Sequence, residues 1–281
     1  MKKGLIKKVI ASALLGIMTM GLVGCGSADN TSSKETKDLL ETIQEKGKVV
    51  VGMSADYAPY EFHYIDENGK DVIGGFDVDI ANEIADAIGV ELVIQEMDFD
   101  ALVAALPAGK IDLVISGMNP TEERAKVVDF SEIYYNSQHG ILVRAEDVDK
   151  YKTFADLEGA KVGAQLGSTQ EQIAKDEIPN ADLQLLANVN NLILELKSGK
   201  VDAIVMEKPV AEMAVKTNPE LAVGKPTYEE ESGGNAVGVA KGNEDLLAKV
   251  NEVIKELNET GKMDEYIVKA NKLAGSVKIV E

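Results

Sequence analysis

Arg124 closes a stretch, IDLVISGMNPTEER (residues 111–124), whose residue types suit the capture of a small carboxylate. Ile111, Leu113, Val114 and Ile115 form the short apolar run of a strand covered on both faces. Asn119 then reads as a helix cap, Pro120 as the first helical residue and Glu122 as a capping-box partner. The N–H groups of such a first turn lack helical partners and carry partial positive charge. Arg124 adds a rigid fork of donors beside them. An ordinary βα turn with a surface arginine has the same local pattern, and these residues alone leave both readings open. A second turn of the same kind, LGSTQE (166–171), pairs Ser168 with Glu171 as a capping box. Glu207 ends an apolar run over 201–206, the end of a strand at which α/β sheets present side chains to ligands; a salt bridge to Lys208 is the alternative.

Other chemistries find little material. The chain has one cysteine and two histidines, His63 and His139, far apart and in no ligand spacing. No intrachain disulfide, thiol-based catalysis, metal site or cofactor is expected, and both histidines read as loop or surface residues. Asp77 and Asp79 read as a helix cap and a solvated face. The formal net charge is −19, from 29 basic and 48 acidic residues. Without the four lysines before residue 9, 25 basic residues remain against 48 acidic ones, a balance near −23. Nucleic acid, which needs clustered positive charge, is excluded as a partner.

The beginning of the chain indicates a compartment. Four lysines and no acid precede residue 9, and residues 9–23 are almost all apolar or small. That length suits a signal-peptide core and is short for a membrane span. Leu22-Val23-Gly24-Cys25 closes the run and is similar to the lipobox of bacterial lipoproteins; a plain secretory signal is the alternative. The expected arrangement is a signal peptide over 1–24, lipid attachment at Cys25 and a polar tether over 25–37.

From residue 38 onward, strands and helices alternate, which argues for parallel sheets wrapped by helices. Helices are expected over 39–45, from Asp77 to 88, over 98–106, from Pro120, over 154–157, after Ser168, over 190–196, from Pro209 and over 245–258. Strands are expected over 48–53, 91–95, 111–115, 140–143, 161–164, 183–186, 201–206 and 237–240. Residues 54–60 form a loop presenting Tyr57 and Tyr60, and Glu67-Asn68-Gly69-Lys70 is a hairpin turn. Two Gly-Lys-Ile/Val-Asp strand entries, at 109–112 and 199–202, suggest two similar lobes. The last strand and long helix have no room in the second lobe, so the chain crosses back to the first.

These segments resemble the extracytoplasmic solute-binding proteins of polar amino-acid ABC transporters. The resemblance is carried by VGMSADYAPYEF (51–62), GGFDVDIANEIA (74–85), MDFDAL (97–102), GKIDLVISGMNPTEERAKVVDFS (109–131), VGAQLGSTQE (162–171) and GKVDAIVME (199–207). It runs from about residue 48 to about 266. Within that family the chain is most similar to the arginine-binding lipoproteins of Gram-positive bacteria. The resemblance implies an α/β, two-lobed periplasmic-binding-protein-like (type II) fold with two crossover strands as a hinge, near 136–139 and 232–235. Lobe 1 would take residues 38–137 and a return segment over 233–281, and lobe 2 residues 138–232.

By the same resemblance, Arg124 would hold a ligand's α-carboxylate bidentately, as its planar fork allows. Thr121 and the backbone near Asn119 would share that carboxylate, and Ser168 and Thr169 would close on it from the other lobe. Glu207 would meet the α-ammonium, with Ser116, Gly117 and Met118 beside it. Tyr57 and Phe99 would sandwich the ligand side chain, while Tyr60 and Phe62 belong to the core. Ser54 stands where several relatives carry an acid, and Gln165 and Gln170 add only neutral groups. Asp56, Glu61 and Asp98 are the candidates to compensate. The implied partners are a free amino acid, with arginine favoured, an ABC permease with its ATPase, and the membrane through Cys25, for a monomeric protein with no catalytic residue. The competing readings are a receptor for glutamine or another polar amino acid, a sensor domain, and a dehydratase acting on prephenate or arogenate on the same fold.

Overall fold

The computed structural model describes residues 38–136, 138–229 and 232–280. The signal peptide, Cys25 and the tether expected over 1–37 lie outside the described residues. Helix α1 (Leu39–Lys46) starts at Asp38, whose side chain accepts from the Leu40 N–H, and stops at Gly47 in a left-handed turn. Strands β1 (Lys48–Met53), β2 (Asp56–Tyr57), β3 (Glu61–Ile65) and β4 (Asp71–Gly74) follow, then α2 (Phe76–Ile88), β5 (Glu91–Glu96), α3 (Phe99–Ala105), β6 (Leu113–Val114) and β7 (Val128–Tyr135). The chain continues through β8 (Gln138–Arg144), β9 (Lys161–Gln165), α4 (Thr169–Glu177), β10 (Asp182–Leu186), α5 (Val189–Lys197), β11 (Ala203–Glu207), α6 (Lys208–Thr217) and β12 (Leu221–Glu229). Strand β13 (Asn235–Ala240), α7 (Glu244–Thr260) and α8 (Lys262–Ala274) complete it.

Two five-stranded sheets organise the lobes, ordered β5-β1-β6-β13-β7 and β10-β9-β11-β8-β12. In the first, β5, β1 and β6 run parallel, and β13 runs antiparallel between β6 and β7. In the second, β10, β9 and β11 run parallel, and β8 runs antiparallel between β11 and β12. Each sheet thus takes its reversed strand, β13 or β8, from chain that has just left the other sheet. Because β13 inserts before β7 rather than at an edge, the first lobe closes only when the last part of the chain returns. Helix α7 then packs on α2 and β7. The turn expected at 67–70 joins β3 to β4, with the Gly69 N–H bonded to the Asp66 carbonyl.

Two expectations change and one helix is new. Residues 120–126 form no α-helix, only a 3₁₀ turn at Arg124–Lys126, because the chain must re-enter a strand at Val128 and a single tight turn is what fits. Helix α8, absent from the sequence reading, buries only Met263, Ala270 and Ala274, a stripe too thin to stand out as periodicity. Asp77 does not cap α2: Gly75 holds that position, and Asp77 is fully buried one residue inside the helix.

Candidate functional site

The two lobes meet along the ends of β1, β6 and β11, and their side chains bond directly to each other. Tyr57 accepts at its hydroxyl from the Glu207 N–H (3.1 Å) and from Gln170 Nε2 (3.2 Å). Tyr60 donates its hydroxyl to Glu207 Oε2, and Thr169 Oγ1 donates to Asn119 Oδ1 at 3.0 Å. Asp56 Oδ2 accepts from the Val189 N–H, at the start of α5, at 2.6 Å. These pairs are 50 to 150 residues apart in sequence, so they report lobe closure and not local structure.

At one side of this seam lies an open cavity of ≈ 910 Å³. Phe99, Met118, Thr121, Arg124, Ser168 and Thr169 line it, six of the residues expected at a binding site. Arg124 donates from one terminal nitrogen to the Asn119 carbonyl (2.7 Å) and from the other to the Gly167 carbonyl across the cleft (2.9 Å). Its guanidinium carbon stands 5.3 Å from the Phe99 ring centre. Gly167 is needed at that approach: its φ is +74°, and a Cβ there would meet Asp100 Cβ at 2.8 Å.

The two expected helix starts fare differently. Ser168 caps α4 by accepting from the Glu171 N–H, while the Glu171 carboxylate takes the Gly167 N–H. After Asn119 in the first lobe there is no α-helix to cap. Thr121 Oγ1 accepts from the Arg124 N–H, and the Asn119 side chain instead bonds the Gly234 carbonyl and Thr169. The α4 N-terminus therefore brings partial positive charge from the second lobe, while after Asn119 it is Arg124 and not a helix start that supplies positive charge from the first.

The remaining expected residues are buried behind the cavity. Glu207 is fully buried at the end of β11, its Oε1 accepting from Asn235 Nδ2 at 3.0 Å. Ser116 Oγ donates to Glu61 Oε1 (2.7 Å) and accepts from the Ser54 N–H (3.0 Å). The Gly117 N–H donates to Asp77 Oδ2, which also accepts from the Tyr134 hydroxyl. Gln165 Nε2 is turned to the Ala187 carbonyl. Ser54 Oγ donates to Asp56 Oδ1 at 3.2 Å.

Four carboxylates, those of Asp56, Glu61, Asp77 and Glu207, are thus buried in this region. Burial disfavours the charged form. It pushes Asp56 up to about 6 and Asp77 up to about 7, and lifts Glu61 well above the usual carboxylate range, with the neighbouring Asp77 charge adding to the effect. Glu61 Oε2 and Asp77 Oδ1 have no other donor among the described residues. The side-chain hydrogen bond between Glu61 and Asp77 closes only if one of them holds a proton. Burial of both acids thus favours a proton shared between them, and the pair accepts from the Ser116 hydroxyl and the Gly117 N–H.

Sequence reasoning missed this acid pair, Asn235 and the polar role of Tyr60. Nothing local marks them, since each acid sits in a segment whose own periodicity is ordinary. His139 is also corrected, being fully buried on β8 with Nδ1 3.3 Å from Gln170 Nε2. His63 bridges Asp71 (2.8 Å) and Glu96 (3.1 Å) on the first lobe. No group of described residues has the arrangement of a metal site, and no described helix is long and apolar enough to cross a membrane.

The family model for bacterial extracellular solute-binding proteins, family 3, matches residues 49–271. The arginine-binding extracellular protein ArtP of Bacillus subtilis is 35% identical over 263 residues, covering 92% of this chain and 96% of that protein. A probable histidine-binding protein of Campylobacter jejuni is 35% identical over 269 residues, covering 94% and 98%. Among solved structures, the amino acid ABC transporter substrate-binding protein AbpA of Streptococcus pneumoniae, bound to L-arginine, superposes with a TM-score of 0.81 at 41% identity, covering 83% of this chain and 98% of that one.

Proposed function

Since the chain belongs to family 3 of the bacterial extracellular solute-binding proteins, we propose that it is the receptor of an ABC importer for a polar amino acid, arginine first. The observation that carries this reading is an interlobe cavity lined by Arg124 and the α4 N-terminus, with the acid Glu207 buried at the end of β11 and bonded across the same seam to Tyr57 and Tyr60. A zwitterion has charges of the opposite signs: its carboxylate suits the guanidinium and the helix start, and its ammonium suits Glu207. Phe99 on the cavity and Tyr57 on the seam are the aromatic rings assigned to the ligand side chain, on which a planar guanidinium gains cation–π energy. Relatives that bind arginine by name, at 35% and 41% identity, support arginine as the side chain.

In this reading the two lobes open and close about the β7–β8 and β12–β13 connections. The domain division is then 38–137 with 233–281 as lobe 1 and 138–232 as lobe 2. Cys25 carries a lipid that tethers the receptor to the outer face of the membrane, where it hands its cargo to a permease driven by an ATPase. Calorimetry of the purified protein against the common amino acids tests the proposal, with micromolar or tighter binding of arginine expected, about −8 kcal/mol or more favourable. No binding of any amino acid would end it, and turnover of prephenate or arogenate would move the protein to the dehydratase reading.

A further inference from the structure

A second cavity, of ≈ 360 Å³, shares no lining residue with the one at Arg124. Asp56 and Phe62 of β2 and β3, Val189 and Ile193 of α5, and Met213 of α6 line it. Val277 completes the wall, held there because the chain after α8 runs beside β3. The Ile65 N–H donates to the Lys278 carbonyl (3.2 Å), and the Val280 N–H donates to the His63 carbonyl (3.0 Å). Alternation along β2 separates the two cavities. Tyr57 turns to Glu207 and Gln170 at the seam, and its neighbour Asp56 turns to the second cavity.

Among the described lining residues that are buried, all but Asp56 are apolar. Asp56 is 7% exposed, and its carboxyl, pushed up to about 6 by burial, is still ionised at neutral pH. Its donors are neutral, Ser54 Oγ on Oδ1 and the Val189 N–H on Oδ2, which leaves acceptor capacity on each oxygen. No described lysine or arginine forms an ion pair with it. Lys216 and Lys278 also line the cavity, but both are exposed, so water and salt screen their charge. A carboxylate buried among apolar groups is costly unless a cation answers it. A compact cavity between lobes, apolar with few polar groups, is the usual form of a small-molecule site. We propose that this cavity is a second binding site, for a small organic ammonium whose apolar body packs on Phe62, Ile193 and Met213 and whose charge is met by Asp56. Its walls come from both lobes, so an occupant favours the closed arrangement and does not compete with a ligand beside Arg124; this coupling rests on the receptor reading.

Isopentylammonium and isopentyl alcohol, its neutral counterpart in shape, are the probes, titrated into the purified full chain at neutral pH and followed by methyl NMR. The ammonium should move the signals of Ile193 and Met213 with a Kd of about 10 mM or tighter, as a ligand of so few atoms allows. The signal of Met118, on the other cavity, should stay in place. The alcohol should bind at least about tenfold more weakly, since it leaves the buried charge unanswered. Asp56→Asn keeps an acceptor for the Val189 N–H and should bring the two probes within about threefold of each other. Met213→Trp fills the space and should weaken both probes at least about tenfold. Saturating L-arginine should leave the Kd of the ammonium unchanged or lower it. Weaker binding of the ammonium, equal affinity for the alcohol, a preference kept in Asp56→Asn, unchanged binding in Met213→Trp or displacement by L-arginine would each overturn the proposal. A protein that binds the ammonium as expected but no amino acid would remove the receptor reading and leave this site standing.

Discussion

Arg124→Ala removes the group assigned to the part of the ligand that all amino acids share. A guanidinium gripping a carboxylate with two parallel bonds contributes roughly 1.5–3 kcal/mol per bond, about 3–6 kcal/mol for the pair. The substitution also removes the Arg124 bond to the Gly167 carbonyl across the cleft, about 1 kcal/mol for a half-exposed group. The combined loss, about 4–7 kcal/mol, corresponds to a rise in Kd of about a thousandfold to a hundred-thousandfold. Because the carboxylate is common to every ligand, arginine, lysine and glutamine should weaken by similar factors, leaving their ratios unchanged. Folding should suffer little. The side chain is half-buried and its other contacts include the Asn119 carbonyl and one face of Phe99, so a fall in Tm of about 2–6 °C is expected. Isothermal calorimetry gives the ratios and thermal unfolding gives the fold control. A folded Arg124→Ala protein that binds within about tenfold of normal would take Arg124 out of the site. A loss confined to cationic or to neutral ligands would show that it reads the side chain and not the carboxylate.

Acid strength and closure give two more tests. For the buried acids, the folded state holds protons that the unfolded chain releases near pH 4, so their contribution to stability falls as pH rises from about 4 towards about 7, where Asp77 ionises. Asp77→Asn keeps an acceptor for Gly117 and Tyr134 and a donor towards Glu61 but has no proton to lose. Its Tm relative to the unmodified protein should rise between pH 5 and pH 8, and a difference that is constant or moves the other way would exclude the shared proton. Gly167→Ala places a methyl at φ +74° and 2.8 Å from Asp100 Cβ in the closed arrangement. Ligand affinity should fall at least about tenfold, with solution scattering showing a larger radius of gyration in the presence of ligand; unchanged affinity and radius would mean that closure does not bring Gly167 onto Asp100.

Much of the scaffold is a matter of local sequence. Gly47 and Gly89 stop helices because they adopt left-handed turns, Ser168 caps α4, and Asn68-Gly69 turns the β3–β4 hairpin, each governed by residues within four positions. Apolar runs such as 49–53 and 203–206 declare strands covered on both faces for the same reason. Residue type made Arg124 a candidate carboxylate partner, through its fixed charge and planar fork, but left a surface arginine equally open until the family resemblance was added. What lay beyond local sequence is whatever depends on what covers a residue. Asp77 in FDVD has the composition of a helix start open to water, yet Gly117, 40 residues on, and Tyr134 close over it. Glu61 stands as a candidate for the ligand side chain until Ser116 reaches it across 55 residues. The segment after Asn119 carries every signal of a helix, but the strand entry at Val128 leaves room for one tight turn, and Asn119 turns instead to Gly234 and Thr169. Charge type, caps and turns act over a few residues and are legible in one dimension. Whether a carboxylate is solvated or protonated is set by the dielectric and the donors around it, and at Asp56 those come from β2's own lobe and from α5 of the other only once the chain is folded.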